Sequence, residues 1–332
     1  MVNYSNVVQV GFAMLAIITV GFVLSKLKVL TPRDSAAMNS IVFWIGFFPL
    51  LFRGIASKKL KELDFNPFAI AALMSITTYV VLALLMIYPF KNRFKTYLAT
   101  VFPTCYINYV ISGVPVFNAL WPPEENVLIS MMMMSNDMIT SPIYFLLIGI
   151  YNVIETNKRL EAEGFPKERF SIKVLGRILL TVIKSPILIG IICGIIYSAT
   201  GLPFPIFLDQ IMMHAANMVF ALALICVGIF LANHSLVSCG WTQFIFCMVV
   251  RILIGPFFAL LWCYALKLPP RVARQCVIIG SQPTAVATFA VTSSVHIGEG
   301  VASTLIFWTT VLVVPTIIIW FSIMDGLKIF VE

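Results

Sequence analysis

The side chains best suited to hold a ligand fall in two short stretches that mix amides, hydroxyls, glycine and proline inside otherwise apolar runs. The first reads Thr104, Cys105, Tyr106, Ile107, Asn108, Tyr109, Val110, Ile111, Ser112, Gly113, Val114, Pro115; the second reads Gly280, Ser281, Gln282, Pro283, Thr284, Ala285, Val286, Ala287, Thr288. Proline removes an amide donor and glycine relaxes the backbone, so Gly113, Pro115 and Pro283 are the expected helix breaks. A break leaves peptide groups unpaired and presents a half-helix N-terminus with partial positive charge. The carboxamides of Asn108 and Gln282 add hydrogen-bond donors without burying a full cation, a combination suited to a small organic anion. Ser112, Ser281 and Thr284 supply hydroxyls beside them, and Tyr106 and Tyr109 offer surface to an apolar or aromatic substrate body. The competing reading is that the prolines merely kink two helices whose amides bond across a bundle. Two such stretches at matching places favour the ligand site.

Three charges lie inside apolar runs, where each is costly. Asp137, near the middle of one run, must face the interior beside a partner such as Asn136, or carry a proton. Arg251, in mid-run, can neutralise interior dipoles or line the substrate path; Lys184 lies close enough to a run's end to snorkel. His214, His234 and His296 are far apart without ligand spacing, and Met131 to Met134 suit adaptable packing better than a copper path. Phosphate loop, nucleophile elbow and zinc motif are all missing from the sequence, so it suggests neither an enzyme nor a cofactor nor a metal.

The elements that must position these residues are membrane helices. The 332 residues are 60% hydrophobic and 11% charged, and the mean hydropathy is +0.99, which excludes an ordinary water-soluble domain. A crossing needs roughly 20 apolar residues. Such runs fall at about 5–25, 36–56, 67–90, 96–120, 127–152, 174–199, 206–232, 241–266, 272–294 and 301–324, which gives about ten. The first lacks a basic leader and a following cleavage site, so it reads as a retained helix. The net charge of +8 does not indicate nucleic acid, because the basic residues sit at helix ends, where they meet lipid headgroups. Seven cysteines without Cys-x-x-Cys spacing suggest no disulfide framework.

The one long polar stretch, Glu155 to Lys173, carries Lys158, Arg159, Glu161, Glu163, Lys167, Glu168 and Arg169. It divides the chain into a first five-helix repeat (1–153), a cytosolic linker (154–173) and a second five-helix repeat (174–332). An odd number of crossings per half makes the halves enter the membrane from opposite sides, the outline of an inverted repeat, with the fourth and ninth runs interrupted. Loop lysines and arginines, among them Lys26, Lys28, Arg33, Lys91, Arg93, Lys95, Lys173 and Arg177, place the linker in the cytosol, against a smaller outer set that includes Arg53, Lys58, Lys59, Lys61, Lys267, Arg271, Arg274 and Lys328.

At these residues the chain resembles the auxin efflux carrier family. Lys184, Ser185, Pro186 resembles that family's basic-x-proline opening of the sixth helix, and Val227 to Ala232 is similar to the end of its seventh. Val250 to Pro256 is similar to its Val-Arg-Phe-Leu-x-Gly-Pro, Asn108 with Gly113, Val114, Pro115 to its Asn-x-x-x-x-Gly-Ile-Pro crossover, and Gln282 to its ninth-helix glutamine, with Phe289, Ala290, Val295 and His296 following. The plant members carry proline directly before both amides, where this chain has Ile107 and Ser281. The resemblance implies an all-α, bile-acid-symporter-like fold related to sodium–proton antiporters: two inverted five-helix repeats with crossed, broken helices 4 and 9. It also implies elevator-like alternating access, usually in a homodimer, and a carboxylate such as indole-3-acetic acid beside Asn108 and Gln282. The short central loop leaves the plasma membrane and endoplasmic reticulum or other endomembranes open. A ligand or lipid sensor without transport, and a sodium- or proton-coupled organic anion symporter, are the alternatives.

Overall fold

The computed structural model describes residues 4–163, 176 and 184–330. Lys167, Glu168, Arg169, Lys173 and Arg177 of the basic stretch lie outside them. The helices are α1 Tyr4–Lys26, α2 Pro32–Ala56, α3 Asn66–Leu82, α4 Arg93–Cys105, α5 Gly113–Leu120, α6 Pro123–Ala162, α7 Pro186–Thr200, α8 Ile206–Asn233, α9 Trp241–Ala265, α10 Pro270–Gly280, α11 Ala287–Val295, α12 Glu299–Val311 and α13 Val313–Gly326. Within α1, α2, α6, α8 and α9 lie spans long and apolar enough to cross a membrane, and α12 with α13 would make a sixth, bent by 63°. The protein is therefore an all-α, multi-pass integral membrane protein.

Two features depart from uninterrupted apolar runs. The last run bends between Val311 and Val313, because Pro315 cannot donate to Val311 and its ring crowds that carbonyl. Three helices also widen into a π turn: Val42–Gly46 in α2, Asn136–Thr140 in α6 and Val250–Ile254 in α9. Each lies just before a proline, Pro49, Pro142 or Pro256, whose missing N–H frees a carbonyl one turn back. In α9 the freed oxygen is that of Ile252, and the Trp320 indole Nε1 donates to it at 2.8 Å. α6 continues through the first part of the polar stretch as far as Ala162.

The helices pack as two groups that cut across the chain order. α1 lies along α8, and α2 lies along α7 and against α8. α3 packs on α6 and α9, α9 on α10, and α4 on α6 and α12. Glycine allows close approaches in the first group: a Cβ on Gly190 would stand 2.9 Å from the Phe48 carbonyl oxygen, and one on Gly194, a turn later, 2.9 Å from Ile55 Cβ. This small-xxx-small spacing lets α7 seat against the backbone of α2.

Candidate functional site

Both interrupted stretches are broken helices, and the breaks meet. α4 ends at Cys105 and α5 begins at Gly113; α10 ends at Gly280 and α11 begins at Ala287. Between them Ile107 and Thr284 form an antiparallel bridge. The Asn108 N–H donates to the Pro283 carbonyl at 2.8 Å, and the Ala285 N–H to the Tyr106 carbonyl at 3.1 Å. Peptide groups freed by one break are thus satisfied by the other, which removes most of the cost of unwinding inside an apolar bundle. Side chains complete the pairing: Asn136 Nδ2 donates to the Ile107 carbonyl at 2.8 Å, and the Thr284 hydroxyl to the Pro103 carbonyl at 2.9 Å.

A cavity of about 400 Å³ lies against this crossing. Tyr106 to Ile111 form one wall with Met133, and Ala285, Val286, Ala287, Ala290 and Val291 carry it onto the N-terminus of α11. The opposite wall comes from α2, through Asn39, Ser40, Val42, Phe43, Trp44 and Phe47, with Ile187 at the start of α7. Among the described residues, no lysine or arginine lines the cavity. On the other side of the crossing strand, near Leu50, Gly54, Val114 and Ile129, the space is only about 30 Å³. Val110 touches both spaces.

Of the residues singled out in the sequence, Asn108, Tyr106 and Tyr109 line the cavity. Asn108 accepts the Ile111 N–H on Oδ1 at 3.2 Å, which fixes its amide, and its Nδ2 has no partner among the described residues. Ser112, Ser281, Gln282 and Thr284 do not line it. The Ser112 hydroxyl donates to the Asn108 carbonyl at 2.9 Å and that of Ser281 to the Ile278 carbonyl at 2.8 Å. Gln282 is fully buried behind the crossing; its Nε2 donates to the Ile278 carbonyl at 3.1 Å, and its Cγ would stand 3.6 Å from a Cβ on Gly113. Gln282 therefore braces the turn in this conformation rather than reaching the space beside Asn108. Pro115 sits in the first turn of α5, where its missing N–H costs nothing.

The intramembrane charges take separate places. Asp137, in the π turn of α6, accepts the Tyr106 hydroxyl at 3.3 Å on Oδ1 and that of Ser185 at 3.5 Å on Oδ2. It thereby links a cavity-lining residue to the head of α7, in the other packing group. Arg251 lies on the far side of the crossing, where Nη1 and Nη2 both donate to the Gly280 carbonyl at 3.2 Å. Lys184 is exposed, one residue before Ser185. Sequence reading missed the α2 wall, although Asn39 and Ser40 are adjacent polar residues inside an apolar run and could have signalled it.

A family described as "Membrane transport protein" matches residues 5–321. One curated relative, Auxin efflux carrier component 8 of Arabidopsis thaliana, is 21% identical over 139 residues, which are 42% of this chain and 38% of the relative. The chain thus aligns with well under half the length of that protein. With the matched region reaching from α1 into α13 and through both halves of the crossing, the chain belongs to the membrane transport protein family, that of the auxin efflux carriers.

Proposed function

We propose that the protein carries a small organic anion with an apolar or aromatic body across the membrane by elevator-type alternating access. The observation that supports this most is the cavity itself: it joins Asn108 Nδ2, an amide donor without a partner among the described residues, to walls of Phe43, Phe47, Ile107 and Met133. An amphipathic guest places its carboxylate at the amide and the N-terminus of α11, and its body against α2. The cavity lies between the two packing groups, so sliding one past the other carries the crossing, and the guest with it, to the opposite face. Ten crossings in two inverted five-helix repeats and assembly as a homodimer belong to the same reading.

The test is flux of radiolabelled indole-3-acetate, as first probe, into proteoliposomes. Saturable uptake is expected, abolished by Asn108→Ala and reduced several-fold less by Gln282→Ala, which disturbs the turn but removes no cavity contact. Binding without flux would instead identify a ligand or lipid sensor.

The position of Asp137 supports a coupled variant of this reading, because its two hydrogen bonds join the cavity wall to the other packing group. Asp137→Asn is expected to flatten the pH dependence of uptake while leaving protein yield intact. A pH profile identical to that of the unsubstituted protein would assign Asp137 a structural role alone.

A further inference from the structure

Arg251 is 3% exposed, and among the described residues no carboxylate pairs with it. A buried guanidinium is costly unless something negative faces it. What faces it is the broken end of α10. Of the last carbonyls of that helix, those of Val277 and Ile278 accept the Ser281 N–H, that of Ile278 also accepts the Ser281 hydroxyl and Gln282 Nε2, and that of Ile279 accepts the Gln282 N–H. The Gly280 carbonyl is left to Arg251, which takes it with two nitrogens at 3.2 Å each. A helix C-terminus carries about half a negative charge, and this one ends inside the bundle, away from water. Among the described residues, the donors at the other broken end, after Cys105, are neutral: Thr284, Ala285 and Asn136.

A crossing that buries a helix C-terminus and also receives an anion needs a positive charge nearby. Either a dissolved cation supplies it or a side chain does. We propose that Arg251 is that charge: a tethered cation that positions the end of α10 and lets the site load an anion without an alkali ion. It acts through the crossing and does not line the cavity. Arg251 is carried by the π turn at Val250–Ile254, directly ahead of Pro256. This inference rests on the anion reading of the cavity, and its first test does not use the substrate.

Thermal unfolding of the purified, detergent-solubilised protein would be followed in choline, sodium, potassium and methylguanidinium chlorides at equal, non-denaturing concentration. The unsubstituted protein is expected to show one Tm in all four salts. Arg251→Met, which keeps the bulk, is expected to lower Tm by about 5 °C in choline and to recover in methylguanidinium or sodium, while Arg251→Lys stays indifferent to the cation. An Arg251→Met protein that no cation restores, or an Arg251→Lys protein that gains sodium dependence, would overturn the proposal. If Arg251→Met does not fold, indole-3-acetate flux decides: exchanging sodium and potassium for choline must leave flux in the unsubstituted protein unchanged, and a tenfold fall would overturn the tethered charge. Absence of any flux beside the expected Tm pattern would count against the substrate reading and leave Arg251 in place.

Discussion

Asn108→Asp is expected to leave the protein folded and to weaken binding of a monocarboxylate by about 100-fold. The substituted side chain keeps the oxygen that accepts the Ile111 N–H, so the turn into α5 survives, and the main-chain bonds to Pro283 and from Ala285 do not involve it. What changes is the free end. A donor to an anion becomes a negative charge, in a cavity where no lysine or arginine among the described residues lines the wall to neutralise it. Loss of a hydrogen bond to a charged group costs about 1.5–3 kcal/mol, and repulsion adds to it. Isothermal titration with indole-3-acetate reads the effect, and a neutral ester of the same body provides the control. Equal affinity of Asn108→Asp and the unsubstituted protein for the carboxylate would remove Asn108 from the site.

Gly228→Val is expected to remove nearly all folded protein. A Cβ on Gly228 would overlap the Ile18 carbonyl oxygen and stand 2.7 Å from Phe22 N and 2.9 Å from Gly21 Cα. All three are backbone atoms of α1, which cannot rotate away as a side chain can. Gly21 faces the same seam, its own Cβ position 2.9 Å from Ile225 Cα. Overpacking a core commonly costs about 1–3 kcal/mol; here the contact is main chain against main chain along two long helices, so they must separate. Separation removes one wall of the first packing group and with it the support of α2. Fluorescence-detected size exclusion should show the monodisperse peak reduced several-fold. Gly240→Ala, where nothing lies within 4 Å, should leave it unchanged.

How much of this could be read from residues alone differs between the fold and the site. Apolar runs locate helices because lipid demands them locally: the run expected over 206–232 is α8, Ile206–Asn233, and that over 241–266 is α9, Trp241–Ala265. The breaks at Asn108 and Gln282 were legible for a similar reason, since proline and glycine act on their own neighbours. Where a side chain points after a break is set by pairing with a segment more than 170 residues away, here Ile107 with Thr284. That pairing turns Asn108 to the cavity and Gln282 to the opposite side, and nothing in either local sequence distinguishes the two. The wall from Asn39 and Ser40, and the seating of Arg251 on Gly280, depend on the same non-local assembly. The bend after Val311 was locally encoded by Pro315, but in a run without the side-chain amide and glycine that mark the other two breaks.

The bond that joins the two breaks is made of peptide groups. The atoms exchanged by Tyr106, Asn108, Pro283 and Ala285 are ones that nearly every amino acid carries. Mutational drift at Ile107, Tyr109 or Val286 can therefore reshape what the chamber accepts while the knot between the strands stays tied. Relatives built this way can diversify their cargo one side chain at a time, without reinventing the frame that moves it.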